Sequence, residues 1–275
     1  MSEKKAEMSQ AMKEKLAPKN FIKNPIKGTK FTIMVSSAKG GVGKSTFAVN
    51  LAFALKQLGK KVGLLDADIY GPSLPKLIGE NKKPENKDGK YIVPIDSHGV
   101  QCMSMGFLVE ETTPMIWRGP MVISAIKTLT ERVLWNELDV IVIDMPPGTG
   151  DTQLTFAQDI KVDGAIIIST PQDIALLDVK RGIQMFDKTK INIFGLVDNM
   201  SFFKADDGKN YNIFGEGGVE KTAKEFNKDF LGKIPLHQDL RISADKGEPL
   251  TLSNPDHEIS LIFKEIADKI LKKLN

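Results

Sequence analysis

The chain has 275 residues, 41% hydrophobic and 27% charged, an ordinary globular composition that excludes a wholly disordered polymer. No apolar run approaches the roughly 18–20 residues of a spanning helix, and the N-terminus lacks an apolar signal core, so neither secretion by that route nor stable membrane association is expected. The single cysteine, Cys102, can form no internal disulfide and no cysteine-only metal site within one chain, and a cytoplasmic protein is the simplest reading.

The net charge of +3 is unevenly spread. Eight lysines and three glutamates fall in the first 30 residues, which leaves 30 basic and 32 acidic residues for the rest. The body is nearly neutral, so no nucleic-acid partner is expected. Residues 1–28 read as a lysine-rich flexible leader, with Pro18 and Pro25 limiting any helix to a short one over 5–16. Residues 29–275 read as one folded domain.

Phe31 to Ser36 is an apolar run bounded by a turn signal and predicts a buried strand. A glycine-rich turn over 39–45 leads into a helix from Thr46 to Gln57, with Gly59 as its stop. Val62 to Leu65 is a second strand that ends at Asp66. Tyr91 to Phe107 predicts a hairpin around Ser97-His-Gly99, and Met121 to Trp135 a helix. Val140 to Ile143 is a buried strand ending at Asp144. Ala165 to Ile168 and Ile193 to Val197 are further strands, with a helix opening near Pro171 between them. The final helix, about Glu258 to Leu274, carries Ile259, Ile262, Phe263, Ile266, Ile270 and Leu274 on one face, which a core-facing helix explains better than a membrane-surface one. Short apolar strands alternating with helices predict an α/β fold: a mostly parallel sheet with helices on both faces.

The strongest chemical signal is Ala38-Lys-Gly-Gly-Val-Gly-Lys-Ser-Thr46, set between a strand and a helix. Glycines let successive backbone N–H groups face one anion, and the helix opening there adds its positive dipole end. Gly40, Gly41, Val42, Gly43, Lys44, Ser45 and Thr46 therefore form a phosphate loop for ATP, with Lys44 reaching the β- and γ-phosphates and Ser45 placing its hydroxyl on Mg²⁺. The strict pattern has Gly where this chain has Ala38. Asp66 and Asp68 follow a strand, where α/β proteins bind ligands; Asp66 can hold a Mg²⁺-bound water and Asp68 can orient the attacking water. Asp144 ends a buried strand as a second acid of the Mg²⁺ shell, and Gly148 in Met145-Pro-Pro-Gly-Thr-Gly150 can present an N–H to the γ-phosphate in a switch segment. His98, His237 and His257 are scattered, and no spacing among them predicts a metal pair.

Lys39 extends the loop to K-G-G-x-G-K-S, which resembles the deviant Walker A loop of the MinD, ParA and nitrogenase-iron-protein group of P-loop NTPases. That resemblance implies a homodimer in which Lys39 crosses to the other subunit's nucleotide as a catalytic cation, beside Lys44 and Asp68. Four segments narrow it: Asp66-Ala-Asp-Ile-Tyr-Gly-Pro-Ser73, Trp117-Arg-Gly-Pro120, Asp144-Met-Pro-Pro-Gly-Thr-Gly-Asp151, and Asn199-Met-Ser201 with Ile213-Phe-Gly215. Together they are similar to the Mrp/ApbC family of iron–sulfur cluster carrier ATPases, from about Phe31 to the C-terminus. The family implies cluster assembly or transfer to apo-proteins coupled to slow ATP hydrolysis, contact of Asn199 and Pro235 with adenine, and a bracing role for Arg118.

One departure bears on the cargo. Family members commonly carry a C-x-x-C pair shortly after the Asn-Met-Ser segment; here Ala205 stands at the first position and Gly208 on or beside the second. No iron–sulfur ligand is identifiable: Cys102 reads as a buried small hydrophobe, and Asp206 and Asp207 are hard ligands in a polar turn. A bound cluster is therefore doubtful. The alternative expectation is an ATP-switched regulatory or partner-binding ATPase that no longer carries one.

Overall fold

The computed structural model describes residues 23–109, 119–148, 150–205 and 207–274. Its framework is a nine-stranded sheet. The strands are β1 (Thr29–Ser36), β2 (Val62–Asp66), β5 (Ile95–Ser97), β6 (Val100–Ser104), β7 (Leu138–Asp144), β8 (Gly164–Ser169), β9 (Ile193–Lys204), β10 (Asn210–Tyr211) and β11 (Phe230–Leu236); β3 (Asn86–Lys87) and β4 (Tyr91–Ile92) form a separate ribbon. The spatial order is β10-β9-β8-β1-β7-β2-β6-β5, with β11 also paired to β9. All pairings from β6 across to β11 are parallel, and antiparallel partners occur only at the margins, where β5 meets β6 and β10 meets β9. Every residue of β2 and β8 is buried, which is why these strands read as unbroken apolar runs.

Two sets of helices cover the sheet. α1 (Lys44–Gln57) packs against β2 and β7 and is capped from outside by α9 (Glu258–Leu274), where Phe47 and Phe263 meet with ring centroids 5.5 Å apart. Ile259, Phe263, Ile266 and Ile270 of α9 are buried, so its apolar stripe is a core face. Short α2 (Leu74–Leu77), α7 (Gln238–Lys246) and α8 (Leu250–Ser253) complete this set. The other set is α3 (Gly119–Glu131), α4 (Asp151–Asp159), α5 (Asp173–Thr189) and α6 (Gly218–Glu225), each touching the next. Among the described residues no helix is long and apolar enough to cross a membrane.

Four differences from the sequence reading have physical causes. Residues 24–28, placed in the leader, belong to the folded body: Asn24 exchanges backbone hydrogen bonds of 2.9 Å with Asp159 and Lys161, and Ile26 is buried. The helix expected to reach Trp135 stops at Glu131, because the next residues pair with Ile92 through its N–H and C=O. The strand expected to end at Val197 continues to Lys204, since β11 and β10 supply backbone partners there. The helix after the phosphate loop starts two residues earlier, at Lys44. The hairpin is as expected: Ser97 pairs Val100 across His98 and Gly99, both at positive φ. The segment over 5–16, Trp117, Arg118 and Asp206 lie outside the described residues.

Candidate functional site

Strand order alone gathers the chemistry. β1, β7 and β2 are neighbours and run parallel, so the loop after Ser36, Asp144 and Asp66 emerge at one edge, with Asp66 in register with Asp144. The loop between β1 and α1 carries Gly41 at φ 80° and Gly43 at φ 82°, left-handed values that a side chain resists. Gly43 has a second constraint. A Cβ there would lie 2.4 Å from Asn199 Nδ2, which donates a 2.7 Å hydrogen bond to Val42 O.

Lys44 is buried. Its Nζ donates to Asp144 Oδ1 and, at 3.2 Å, to Ser45 Oγ. Asp66 is buried as well, and its carboxylate organises the following loop. Oδ1 accepts from Asp68 N–H at 3.0 Å, while Oδ2 accepts from Ser73 N–H, Leu74 N–H and Ser104 Oγ at 3.0–3.1 Å. Burial, then the Asp144 charge, pushes its pKa up to about 7. Asp68 is more open; burial raises its carboxyl, and it lines a cavity of about 290 Å³ with Gly40, Gly41, Lys44 and Ser45. With Asp66 ionised, two buried carboxylates face one ammonium, a negative excess that a hard divalent cation such as Mg²⁺ would neutralise.

The sign of the Asp66 effect is testable. A native pKa near 7 lies above the unfolded value of about 4, so the native state holds a proton that the unfolded chain has released. Stability should fall as pH rises between those values. In urea unfolding without Mg²⁺, the wild type is expected to lose on the order of 2–3 kcal/mol relative to Asp66→Asn between pH 5 and pH 8. Parallel pH curves for the two proteins would refute this.

A second cavity, about 430 Å³, continues from the first across Gly43, Thr46, Ser73 and Leu77. Its far wall carries Asn199, Met200, Pro235, His237 and Arg241. Met200 takes φ 55°, an uncommon backbone state beside the irregular β9–β11 pairing. A polar cradle at the loop thus opens into a longer groove whose lining is mostly apolar.

The segment that follows β7 folds back on the loop after β1. Gly148, at φ 95°, donates its N–H to Ser37 O at 2.9 Å rather than into the cradle. Gln153 donates to Pro146 O and, at 3.3 Å, to Ser36 Oγ, and its Oε1 is buried without a partner among the described residues. Lys39 stands exposed on the loop. Cys102 is buried in β6 beside Leu64, and burial pushes its thiol up. Ala205 and Gly208 flank the turn between β9 and β10, joined by a 2.9 Å hydrogen bond from Gly208 N–H to Ala205 O.

Sequence reasoning missed Ser104, Gln153 and the groove residues His237 and Arg241. Ser104 fell inside the Tyr91 to Phe107 hairpin of the sequence reading, and only the pairing of β6 with β2 brings it to Asp66. Sequence reasoning also read His237 and His257 as scattered; the fold sets their rings 5.0 Å apart.

The family model of ParA, described as a NUBPL iron-transfer P-loop NTPase, matches residues 28–271. The chain belongs to this family. This P-loop NTPase is 50% identical over 251 residues to the iron–sulfur cluster carrier protein of Escherichia coli, a match spanning 90% of the chain and 68% of that protein. It is 48% identical to the mouse iron–sulfur cluster transfer protein NUBPL, across 91% of the chain and 79% of the relative. Among solved structures, a nucleotide-binding protein from Archaeoglobus fulgidus in complex with ADP superposes with TM-score 0.71 at 39% identity, covering 81% of this chain and 88% of that one. The cell-division ATPase MinD of Pyrococcus furiosus shares the fold, with TM-score 0.64 at 22% identity over 88% of this chain and 98% of its own.

Proposed function

We propose that this P-loop NTPase is an iron–sulfur cluster carrier, a slowly ATP-hydrolysing homodimer that passes clusters to apo-proteins in the cytoplasm. The observation that carries the reading is a phosphate cradle continuous with a base groove, in a chain half identical over most of its length to named cluster carriers. Gly40, Gly41, Val42, Gly43 and Thr46 surround the phosphates. Lys44 neutralises the β- and γ-phosphates, and Gly43's missing Cβ leaves Asn199 free to meet the base with Pro235. Ser45, with Asp66 and Asp144 around it, holds Mg²⁺, which supplies charge neutralisation on the phosphates when bound.

Asp68 receives the proton side of the attacking water. Lys39, exposed and projecting from the loop, reaches the nucleotide of the partner subunit and stabilises charge developing on the transferred phosphoryl group. The γ-phosphate competes with Ser37 O for the Gly148 N–H. Binding thereby releases one hydrogen bond of the switch segment, and hydrolysis lets it re-form. A step gated by such a rearrangement is slow.

The cargo is the open part of the reading. Ala205 and Gly208 offer no thiolate, so the β9–β10 hairpin cannot ligate a cluster by itself, and this favours a second reading, an ATP-switched partner-binding protein without cargo. Anaerobic reconstitution with iron and sulfide separates the two. The carrier reading expects stoichiometric iron and sulfide per dimer, visible charge-transfer absorption and transfer to an apo-ferredoxin. A protein that binds ATP yet retains no iron would overturn it in favour of the second.

A further inference from the structure

The start of α7 and the start of α9 bring together two pairs of side chains that are remote from each other in sequence, His237 with Asp239 and His257 with Glu258. The His237 and His257 rings meet edge to face. Asp239 lies between them, with Oδ2 3.2 Å from His257 Nε2 and 3.9 Å from His237 Nδ1. Glu258 Oε1 is 3.7 Å from His237 Nε2. One ligand atom each from His237, Asp239 and His257 lies within 4.8 Å of the other two. A modest contraction brings that triangle to the roughly 3.3 Å edges of a tetrahedral site with bonds near 2.0–2.1 Å.

We propose that His237, Asp239 and His257 bind one divalent transition-metal ion of the zinc class at the rim of the base groove, with water completing the shell. Two imidazoles and a carboxylate favour such an ion over Mg²⁺ or Ca²⁺, which prefer all-oxygen shells. The site is separate from the Asp66, Asp144 and Ser45 group. His237 borders the groove that holds Asn199 and Pro235, so the ion ties the start of α7 to the start of α9 beside the base.

The protons set the strength of the site. His237 Nδ1 now accepts from Asp239 N–H at 3.2 Å, and His257 Nδ1 from Ile259 N–H at 3.1 Å. Coordination through His237 Nδ1 gives up the first contact and leaves Nε2–H to donate to Glu258, a carboxylate–histidine–metal arrangement. Coordination through His257 Nε2 sends a proton to Nδ1 and turns that edge away from Ile259 N–H. Two capping contacts are exchanged for metal bonds, so the site is reversible rather than a permanent structural zinc.

The test uses the full chain, stripped of metal, without nucleotide and in millimolar Mg²⁺. Zn²⁺ is titrated by calorimetry, and Co²⁺ is followed by its visible d–d absorption. One Zn²⁺ per chain with Kd on the order of 10 μM or tighter is expected. His257→Gln and the isosteric Asp239→Asn should each weaken it at least tenfold, and His98→Gln should leave it unchanged. Circular dichroism checks that each variant is folded. Absence of saturable one-to-one binding overturns the proposal, as does binding that both folded variants retain, which places the ion elsewhere.

Discussion

Lys44→Ala is expected to reduce ATP hydrolysis by about 1,000-fold or more and to weaken ATP at least 100-fold. The magnitude follows from where the ammonium sits. It is buried, bonded to Asp144 and Ser45, and it is the cation that faces both the phosphate cradle and the Asp66–Asp144 pair. Removing it deletes the charge that stabilises the phosphates. It also leaves Asp66 and Asp144 buried without the ammonium between them, so the variant should melt lower than the wild type. Phosphate release and calorimetry with a non-hydrolysable ATP analogue measure the first two effects. A variant that kept a tenth of the wild-type rate would remove Lys44 from the mechanism.

Gly43→Ala should be the most damaging one-atom change in the loop. Its φ of 82° costs an alanine about 1–2 kcal/mol. The new Cβ would lie 2.4 Å from Asn199 Nδ2, so Asn199 must swing away and abandon its bond to Val42 O, worth about 1 kcal/mol. Together these predict a loss of about 2–3 kcal/mol in urea unfolding, with ADP affinity falling because the displaced amide blocks the passage between cradle and groove. Gly40→Ala is the control. Nothing lies within 4 Å of its would-be Cβ and its φ is not left-handed, so stability should change by less than about 0.5 kcal/mol. Equal destabilisation by the two substitutions would show that Asn199 does not press on Gly43.

The glycine-rich loop, Asp66 and Asp144, which the fold gathers at one sheet edge, stood out in the sequence because their signal is local. A glycine run between an apolar strand and a helix, or an acid ending an apolar strand, is visible within ten residues of chain. Asp68, which lines the same cavity, stood out for the same reason. The resemblance carried by Asn199 and Pro235 pointed to the base, and the fold sets both on one groove wall. Gly148 was singled out for its N–H, which the fold directs at Ser37 O, and nothing local announces a partner a hundred residues away.

The sequence by itself determined the class of fold, the buried parallel strands and the core face of α9, because burial on both faces of a sheet or one stripe of a helix imposes a periodicity on the chain. It also read Cys102 as a buried small hydrophobe, which the structure buries in β6, and it shows that the hairpin at Ala205 and Gly208 carries no thiolate. Only the tertiary structure decided how far elements run and what meets what. Asn24 to Gly28 joined the body, β9 ran on to Lys204, and α3 stopped at Glu131 because backbone partners remote in sequence were there to accept them. Ser104 found Asp66, and His237 found His257, across distances the chain does not encode in any spacing. Hydrogen bonds and ligand clusters of that kind depend on strand order and helix placement, which are settled by packing of the whole core rather than by any window of sequence.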